Sequence, residues 1–192
     1  MASKVFSTRD VRTACARGRD VVDTYKNRCD RPAAVFDVDE TLLLNHPSDD
    51  GRYRANPPVV ALYDHAKDAG FDTYIVTARR KSDWSMNYLK KQLAGIGVRD
   101  PKRIYMVTKA YDRDPSASRF KRDARERIQT KHGAQIILNV GDQASDMFLT
   151  GEYDRGNEAF AQTLMPDHAY GIVHPNDPAL LALKLPAAYT VP

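Results

Sequence analysis

Cysteine is scarce in this chain: two among 192 residues, Cys15 and Cys29. Carried on one helix they would stand roughly 21 Å apart at ~1.5 Å per residue, too far to bridge. Two scattered thiols make neither a disulfide scaffold nor a zinc site, and Cys15 reads as a small buried residue. Long apolar runs are also missing. Nothing approaches the ~18 consecutive apolar residues of a membrane span, so no membrane partner is expected. The stretch from Met1 to Asp10 lacks the apolar core of a secretory signal, from which an intracellular, cytoplasmic protein is expected. His46, His65, His132, His168 and His174 show no metal-ligand spacing, although His46 lies close enough to an acidic motif to touch a substrate. There is no Walker-type phosphate loop, which excludes an accompanying kinase of that kind. No repeat, low-complexity tract or linker divides the chain. One domain over residues 1–192 is expected, with residues 1–30 as a helical segment packed on its core.

What is present is an ordinary globular composition, 42% apolar and 28% charged, with a net charge of +4. That balance suits anionic substrates without requiring nucleic acid. The charge is uneven: Lys109–Lys131 holds eight Lys/Arg against four Asp/Glu. One solvated basic helix face would explain it, and so would a rim that attracts phosphate.

Periodicity divides the chain into alternating elements. Thr8–Cys29 has apolar or small residues at helical spacing, with Ser7 or Thr8 as cap and Asp10 in the first turn. Ala33–Asp37 reads as a buried strand and Asn45–Asn56 as a polar loop. Pro57-Pro58 opens a helix to about Ala69, stopped by Gly70. Phe71–Thr77 is a strand, Asp83–Ala94 a helix and Arg103–Val107 a short strand. Lys109–Ala117 is a polar connection. Ser118–Lys131 is a helix with Phe120, Ala124 and Ile128 at period four. Gln135–Val140 is a strand and Ala169–Val173 a further candidate. The alternation predicts an α/β fold: a Rossmann-like parallel sheet covered by helices on both faces. Sites in such sheets lie beyond the carboxyl ends of the strands. Asp37, Thr77 and Asp142 each fall there, on three different strands.

The most informative string is Ala33-Ala34-Val35-Phe36-Asp37-Val38-Asp39-Glu40-Thr41-Leu42. Two carboxylates two positions apart start out on one side of an extended backbone. Anions placed together at the end of an apolar strand are costly unless compensated, and a divalent cation would do it. A solvated acidic turn is the plainer alternative for Asp-x-Asp alone.

The full Asp-x-Asp-Glu-Thr-Leu string resembles motif I of the haloacid dehalogenase (HAD) superfamily of phosphotransferases. Tyr74-Ile75-Val76-Thr77-Ala78-Arg79 looks like motif II, Lys121 fits motif III, and Leu138-Asn139-Val140-Gly141-Asp142-Gln143-Ala144-Ser145-Asp146 looks like motif IV, all in the family's order. The resemblance implies a phosphatase working through an aspartyl-phosphate. Asp37 would attack phosphorus and Asp39 would carry the proton. Magnesium would be held by the Asp37 carboxylate, the Asp39 carbonyl and the Asp142 carboxylate, with Asp146 a further ligand or a positioning group. Thr77 and the Ala78 amide would bind the substrate's phosphate oxygens, unless Thr77 simply caps a helix. Lys121 would neutralise the transferring group, with Arg119 and Arg122 as rivals for that role.

Asp37 to Thr77 spans 40 residues and Thr77 to Lys121 spans 44, each largely filled by core elements. No large cap domain is expected, only the Asn45–Asn56 loop near the site. The wording of motifs I and IV, and the tail Ala182-Leu183-Lys184-Leu185-Pro186, resemble class B-type acid phosphatases of plants and bacteria. A phosphorylated small molecule is then the expected substrate. Ile104-Tyr105-Met106 with the basic helix instead resembles the phosphatase half of polynucleotide kinase-phosphatases, which implies a nucleic-acid end. A third reading is a non-catalytic protein on the same fold, but Asp37, Asp39, Lys121 and Asp142 are all present.

Overall fold

The computed structural model describes residues 3–44, 54–114, 117–147, 164, 167–174 and 177–186. In chain order the elements are β1 (Ser3–Thr8), α1 (Val11–Tyr25), β2 (Pro32–Phe36), β3 (Leu43–Leu44), β4 (Arg54–Ala55), α2 (Pro57–Asp68), β5 (Asp72–Arg80), α3 (Asp83–Gly95), β6 (Arg103–Val107), α4 (Ser118–His132), β7 (Gln135–Gly141), β8 (Ala169–His174) and β9 (Asp177–Lys184). Seven strands form one sheet in the order β1-β8-β9-β7-β2-β5-β6. β2 is buried along its whole length, as strands covered on both faces are. It pairs in parallel with β5 and β7.

Side chains leave the sheet alternately and build two cores. Ala34, Phe36, Ile75 and Val140 pack against α1, α2 and α3. Ala33, Val35, Val76 and Ile136 pack against Phe120, Ala124 and Ile128 of α4. Helices thus cover both faces, as the alternation predicts. The sheet is mostly parallel rather than wholly so: β8 runs antiparallel to β9, and β1 antiparallel to β8.

The amino-terminal segment differs from its expected form. Residues 3–8 form a strand, and the helix begins only at Val11. Its cap is Asp10, whose carboxylate accepts from the Arg12 and Thr13 amides at 3.0 and 3.2 Å. A carboxylate at that position satisfies two otherwise unpaired amides, which Ser7 and Thr8, inside a strand, cannot reach. α2 begins at Pro57 and ends before Gly70, which takes a left-handed φ of 86°. On α3 only Leu89 and Leu93 are buried, while Trp84 and Tyr88 stack in solvent with ring centroids 5.1 Å apart.

Two features were not anticipated. β3 and β4 pair across the base of the polar loop, with Leu43 opposite Ala55; residues 45–53, including His46, lie outside the described residues. β9 extends the parallel sheet beyond β7, placing Leu183 opposite Val140. Gly18 of α1 packs directly on it, since a Cβ there would stand 2.9 Å from both Leu183 Cδ1 and Leu62 Cδ2. Leu183 is fully buried. Leu183→Ala should therefore destabilise the fold by ~2–5 kcal/mol, as buried leucine truncations do. Denaturant unfolding checks this, and a loss under about 1 kcal/mol would contradict the β9 packing.

Candidate active site

Four elements converge at the carboxyl edge of the sheet. β2 hands the chain to Asp37, whose amide donates to the Val140 carbonyl at 2.9 Å. The backbone then turns sharply. The Val38 carbonyl accepts from the Leu42 and Leu43 amides, both at 2.9 Å, and Glu40 takes a left-handed φ of 52°. Val38 and Leu42 anchor this turn in the core. β7 ends at Gly141, so Asp142 emerges beside Asp37, and a short 3-10 turn (Ala144–Asp146) folds Asp146 back. Gly141 makes that return feasible: a Cβ there would lie 2.3 Å from the Asp146 Cβ.

From the other face α4 supplies two cations. Lys121 Nζ stands 3.1 Å from Asp37 Oδ2 and 2.8 Å from Asp146 Oδ1. Arg125, one turn further, donates through Nε to Asn139 Oδ1 at 2.9 Å and through Nη1 to the Ser145 carbonyl at 3.0 Å. Its Nη2 donates to the Asp146 carbonyl at 3.0 Å and faces Asp146 Oδ1 at 3.4 Å. Asp37, Lys121, Arg125, Asp142 and Asp146 are all buried. The Gln143 amide donates to Asp146 Oδ2, and the Gln143 side-chain amide to Asp142 Oδ2.

Carboxylate oxygens of Asp37, Asp142 and Asp146 lie within 4.8 Å of one another. Among the described residues Asp37 Oδ1 is buried without a hydrogen-bond partner. Hard oxygen donors with one orphaned buried atom fit a divalent cation such as magnesium. Burial and the nearby Asp146 push the Asp37 carboxyl up to about 8, against the pull of Lys121. Burial and Asp146 likewise raise Asp142 to about 6. Burial alone would lower Lys121, but Asp146 and Asp37 outweigh it and keep it firmly protonated.

Asp39 points elsewhere. Its carboxylate is held in a fork by Arg79, Nε to Oδ2 at 2.9 Å and Nη2 to Oδ1 at 2.6 Å, while Arg79 Nη1 donates to Gln92 Oε1 of α3 at 2.6 Å. Its side chain is therefore not part of the carboxylate triad. Thr77 is buried near the end of β5, its Oγ1 accepting from the Arg79 amide at 3.3 Å, and Ala78 is exposed beside it. Thr77 caps no helix; that position belongs to Ser82, whose Oγ accepts from the Ser85 amide. Of the three cations that open α4, Lys121 alone enters the carboxylate cluster, while Arg119 stays exposed and Arg122 pairs with Asp123 at 3.3 Å.

Arg79 and Arg125 escaped the reading of the motifs. Arg125 is four residues after Lys121, hence on the same helix face, and that spacing was a usable signal. Arg79 sat inside the motif II string, but nothing in the sequence pairs it with Asp39.

A mostly parallel sheet with this carboxylate cluster at its edge defines the HAD class of fold. A family model described as HAD superfamily, subfamily IIIB (acid phosphatase), matches residues 46–173, and the chain belongs to that family. The matched span contains Thr77, Ala78, Lys121, Asp142 and Asp146; Asp37 and Asp39 precede it. No curated protein sequence matches. Among solved structures, the class C acid phosphatase from Bacillus anthracis is similar at 21% identity and TM-score 0.52, over 73% of this chain and 65% of that one. Its tungstate-bound form is similar at 18% identity and TM-score 0.55, over 80% and 71%. These likenesses establish the fold. A Pnkp1/Rnl/Hen1 complex is similar over 59% of this chain and 39% of that one at 20% identity, but its TM-score of 0.47 is too low to support an argument.

The raised carboxyls make stability depend on pH. Their ordinary value is 3.8, so above it the metal-free folded state holds protons that the unfolded chain has lost. Stability is then lost as pH rises from 3.8 to about 6 through Asp142, and on to about 8 through Asp37. In excess chelator, Asp142→Asn should raise the melting temperature at pH 8 relative to the parent, and the gain should vanish near pH 4. A gain independent of pH would contradict this origin.

Proposed function

We propose that this protein is a metal-dependent phosphomonoester hydrolase with Asp37 as nucleophile. The supporting observation is the buried contact of Asp37 with Lys121 at 3.1 Å beside Asp142 and Asp146. Asp37 and Asp142, with the Asp39 carbonyl, would hold magnesium. Asp146 is engaged by Lys121, Arg125 and the Gln143 amide, so it serves better as the group that positions Lys121. The cation would supply charge stabilisation to the phosphoryl oxygens and keep Asp37 ionised.

In the first step an Asp37 oxygen forms a bond to phosphorus, the bond from phosphorus to the leaving oxygen breaks, and Asp39 gives that oxygen its proton. Water then attacks phosphorus, Asp39 takes a proton from it, and the Asp37–phosphorus bond breaks. Two displacements replace one difficult hydrolysis. Asp39 must exchange Arg79 for substrate in each turnover, which its position at the partly exposed rim allows. Lys121 neutralises charge on the transferring group, while Thr77 Oγ1 and the Ala78 amide, at the open end of β5, hold its oxygens. Belonging to an acid-phosphatase family favours small phosphomonoesters over nucleic-acid ends.

Asp37→Asn keeps the shape but removes the attacking charge. Turnover of an aryl phosphate should fall at least ~100-fold with an unchanged circular-dichroism spectrum. Full activity in that variant, or in excess chelator, would overturn the assignment.

A further inference from the structure

β6 ends the sheet on one side and pairs with β5 alone among the described residues. An edge strand presents unpaired N–H and C=O groups along its outer side, a template for one more strand. Against β6 lies a groove of about 690 Å³. Its lining comes from α3, from the α3–β6 connection and from β6, with no residue of β5, so it lies on the outer side of β6. Both of its ends are fixed. Lys81 donates its amide to the carbonyl of Val107, the last residue of β6, at 2.8 Å. Lys102 immediately precedes the strand and donates its amide to the Thr73 carbonyl at 2.7 Å. The groove therefore follows β6 for its whole length, roughly 17 Å at ~3.3 Å per residue.

The floor is apolar. Leu93 and Val98 are buried, and Met86 and Ile104 pack partly exposed against the same core. Ile104 shares the α3 side of β6 with Met106, while Tyr105 faces α4. Neighbouring residues of a strand point to opposite faces, so a strand laid against β6 would carry every second side chain onto that floor.

The rim is cationic: Lys81, Lys90, Lys102 and Arg103 stand against Asp100. Lys102 also pairs with Asp72 at 3.4 Å, whereas the other three cations make no ion pair among the described residues. Four cations against these two carboxylates leave an excess of positive charge. The Arg103 guanidinium lies over the Tyr105 ring at 5.4 Å, on the α4 side, so cations flank the edge on both faces. These charges decide between occupants. Two copies of this chain pairing β6 with β6 would bring the same cations together, whereas an acidic strand would neutralise them.

We propose that β6 and its groove dock an extended acidic segment of a partner protein, which adds a strand to the sheet and seats its apolar side chains on Leu93, Val98 and Ile104. Main-chain pairing supplies affinity, and Lys81, Lys90 and Arg103 select for carboxylates. β5 separates this edge from β2, which leads to Asp37, and the inference does not rest on the phosphatase reading.

Fluorescence anisotropy with the full-length protein tests it. The probe is a labelled peptide of about seven residues alternating glutamate with valine, just longer than β6. It should bind saturably with a Kd below ~1 mM. Lys81→Glu/Lys90→Glu should weaken it at least ~10-fold, and so should Ala94→Phe, which fills the groove from an exposed helix position. A probe N-methylated at every amide keeps its side chains but cannot pair as a strand, and should also lose at least ~10-fold. Circular dichroism confirms that the variants are folded. No binding of the glutamate peptide, equal binding of a lysine–valine peptide, or full affinity in the methylated probe or in either variant would overturn the proposal. A single-stranded oligonucleotide that displaces the peptide and binds more tightly would assign the rim to nucleic acid instead. Dimerisation abolished by Lys90→Glu would assign the edge to a second copy. Either result overturns the acidic partner.

Discussion

Everything at the carboxyl edge of this sheet depends on how three buried carboxylates are kept together. Carboxylate oxygens of Asp37, Asp142 and Asp146 lie within 4.8 Å of one another, and the buried Lys121 and Arg125 pair with Asp37 and Asp146. Asp146 is the hub, since both cations converge on its Oδ1. Such a network is not a large net source of stability, because desolvation offsets most of its attraction. Removing one member, however, leaves an uncompensated charge in the interior, at a cost of ~3–5 kcal/mol. Its consequence is geometric: it fixes where Lys121 points, between Asp37 and Asp146.

The count of charges explains the electrostatics. Among the described residues Lys121 and Arg125 are the cations in ion-pair contact with the three carboxylates, and they reach only Asp37 and Asp146, leaving a local deficit in a buried region. Burial and mutual repulsion therefore raise Asp37 and Asp142, and one Asp37 oxygen is left without a hydrogen-bond partner. A divalent cation would correct both the deficit and the orphaned atom. Asp39, held by Arg79 and tied through Gln92 to α3, stands apart from this cluster. Under the proposed mechanism, that separation would suit a proton carrier that works beside the metal-bound Asp37.

Much of this was legible in the sequence. Asp37, Thr77 and Asp142 were expected at strand ends because apolar runs terminate there, and β2, β5 and β7 indeed deliver them to one edge. Lys121 was expected through its resemblance to motif III at the start of a predicted helix, and the structure sets its Nζ 3.1 Å from Asp37 Oδ2. Other features were hidden for physical reasons. β1 and β9 lack the helix-alternating context that marks β2, β5 and β7, so local pattern could not separate them from loops. Cap choice at α1 depended on which residues a strand had already taken. The Asp39–Arg79 pair spans 40 residues of sequence, and no local rule foresees a contact of that kind. Arg125 looked like one more surface cation, although its spacing from Lys121 placed it on the buried face.

The central claim is that crowded, partly protonated carboxylates form a divalent-cation site. Proton release on metal binding tests it most directly, because deprotonation of Asp37 and Asp142 must accompany ligation. Magnesium should be titrated into the metal-free protein by calorimetry near pH 6.5, in two buffers of different ionisation enthalpy. The account predicts one-site binding with release of about one proton per ion. Binding without proton release, or no binding to the folded protein, would contradict it.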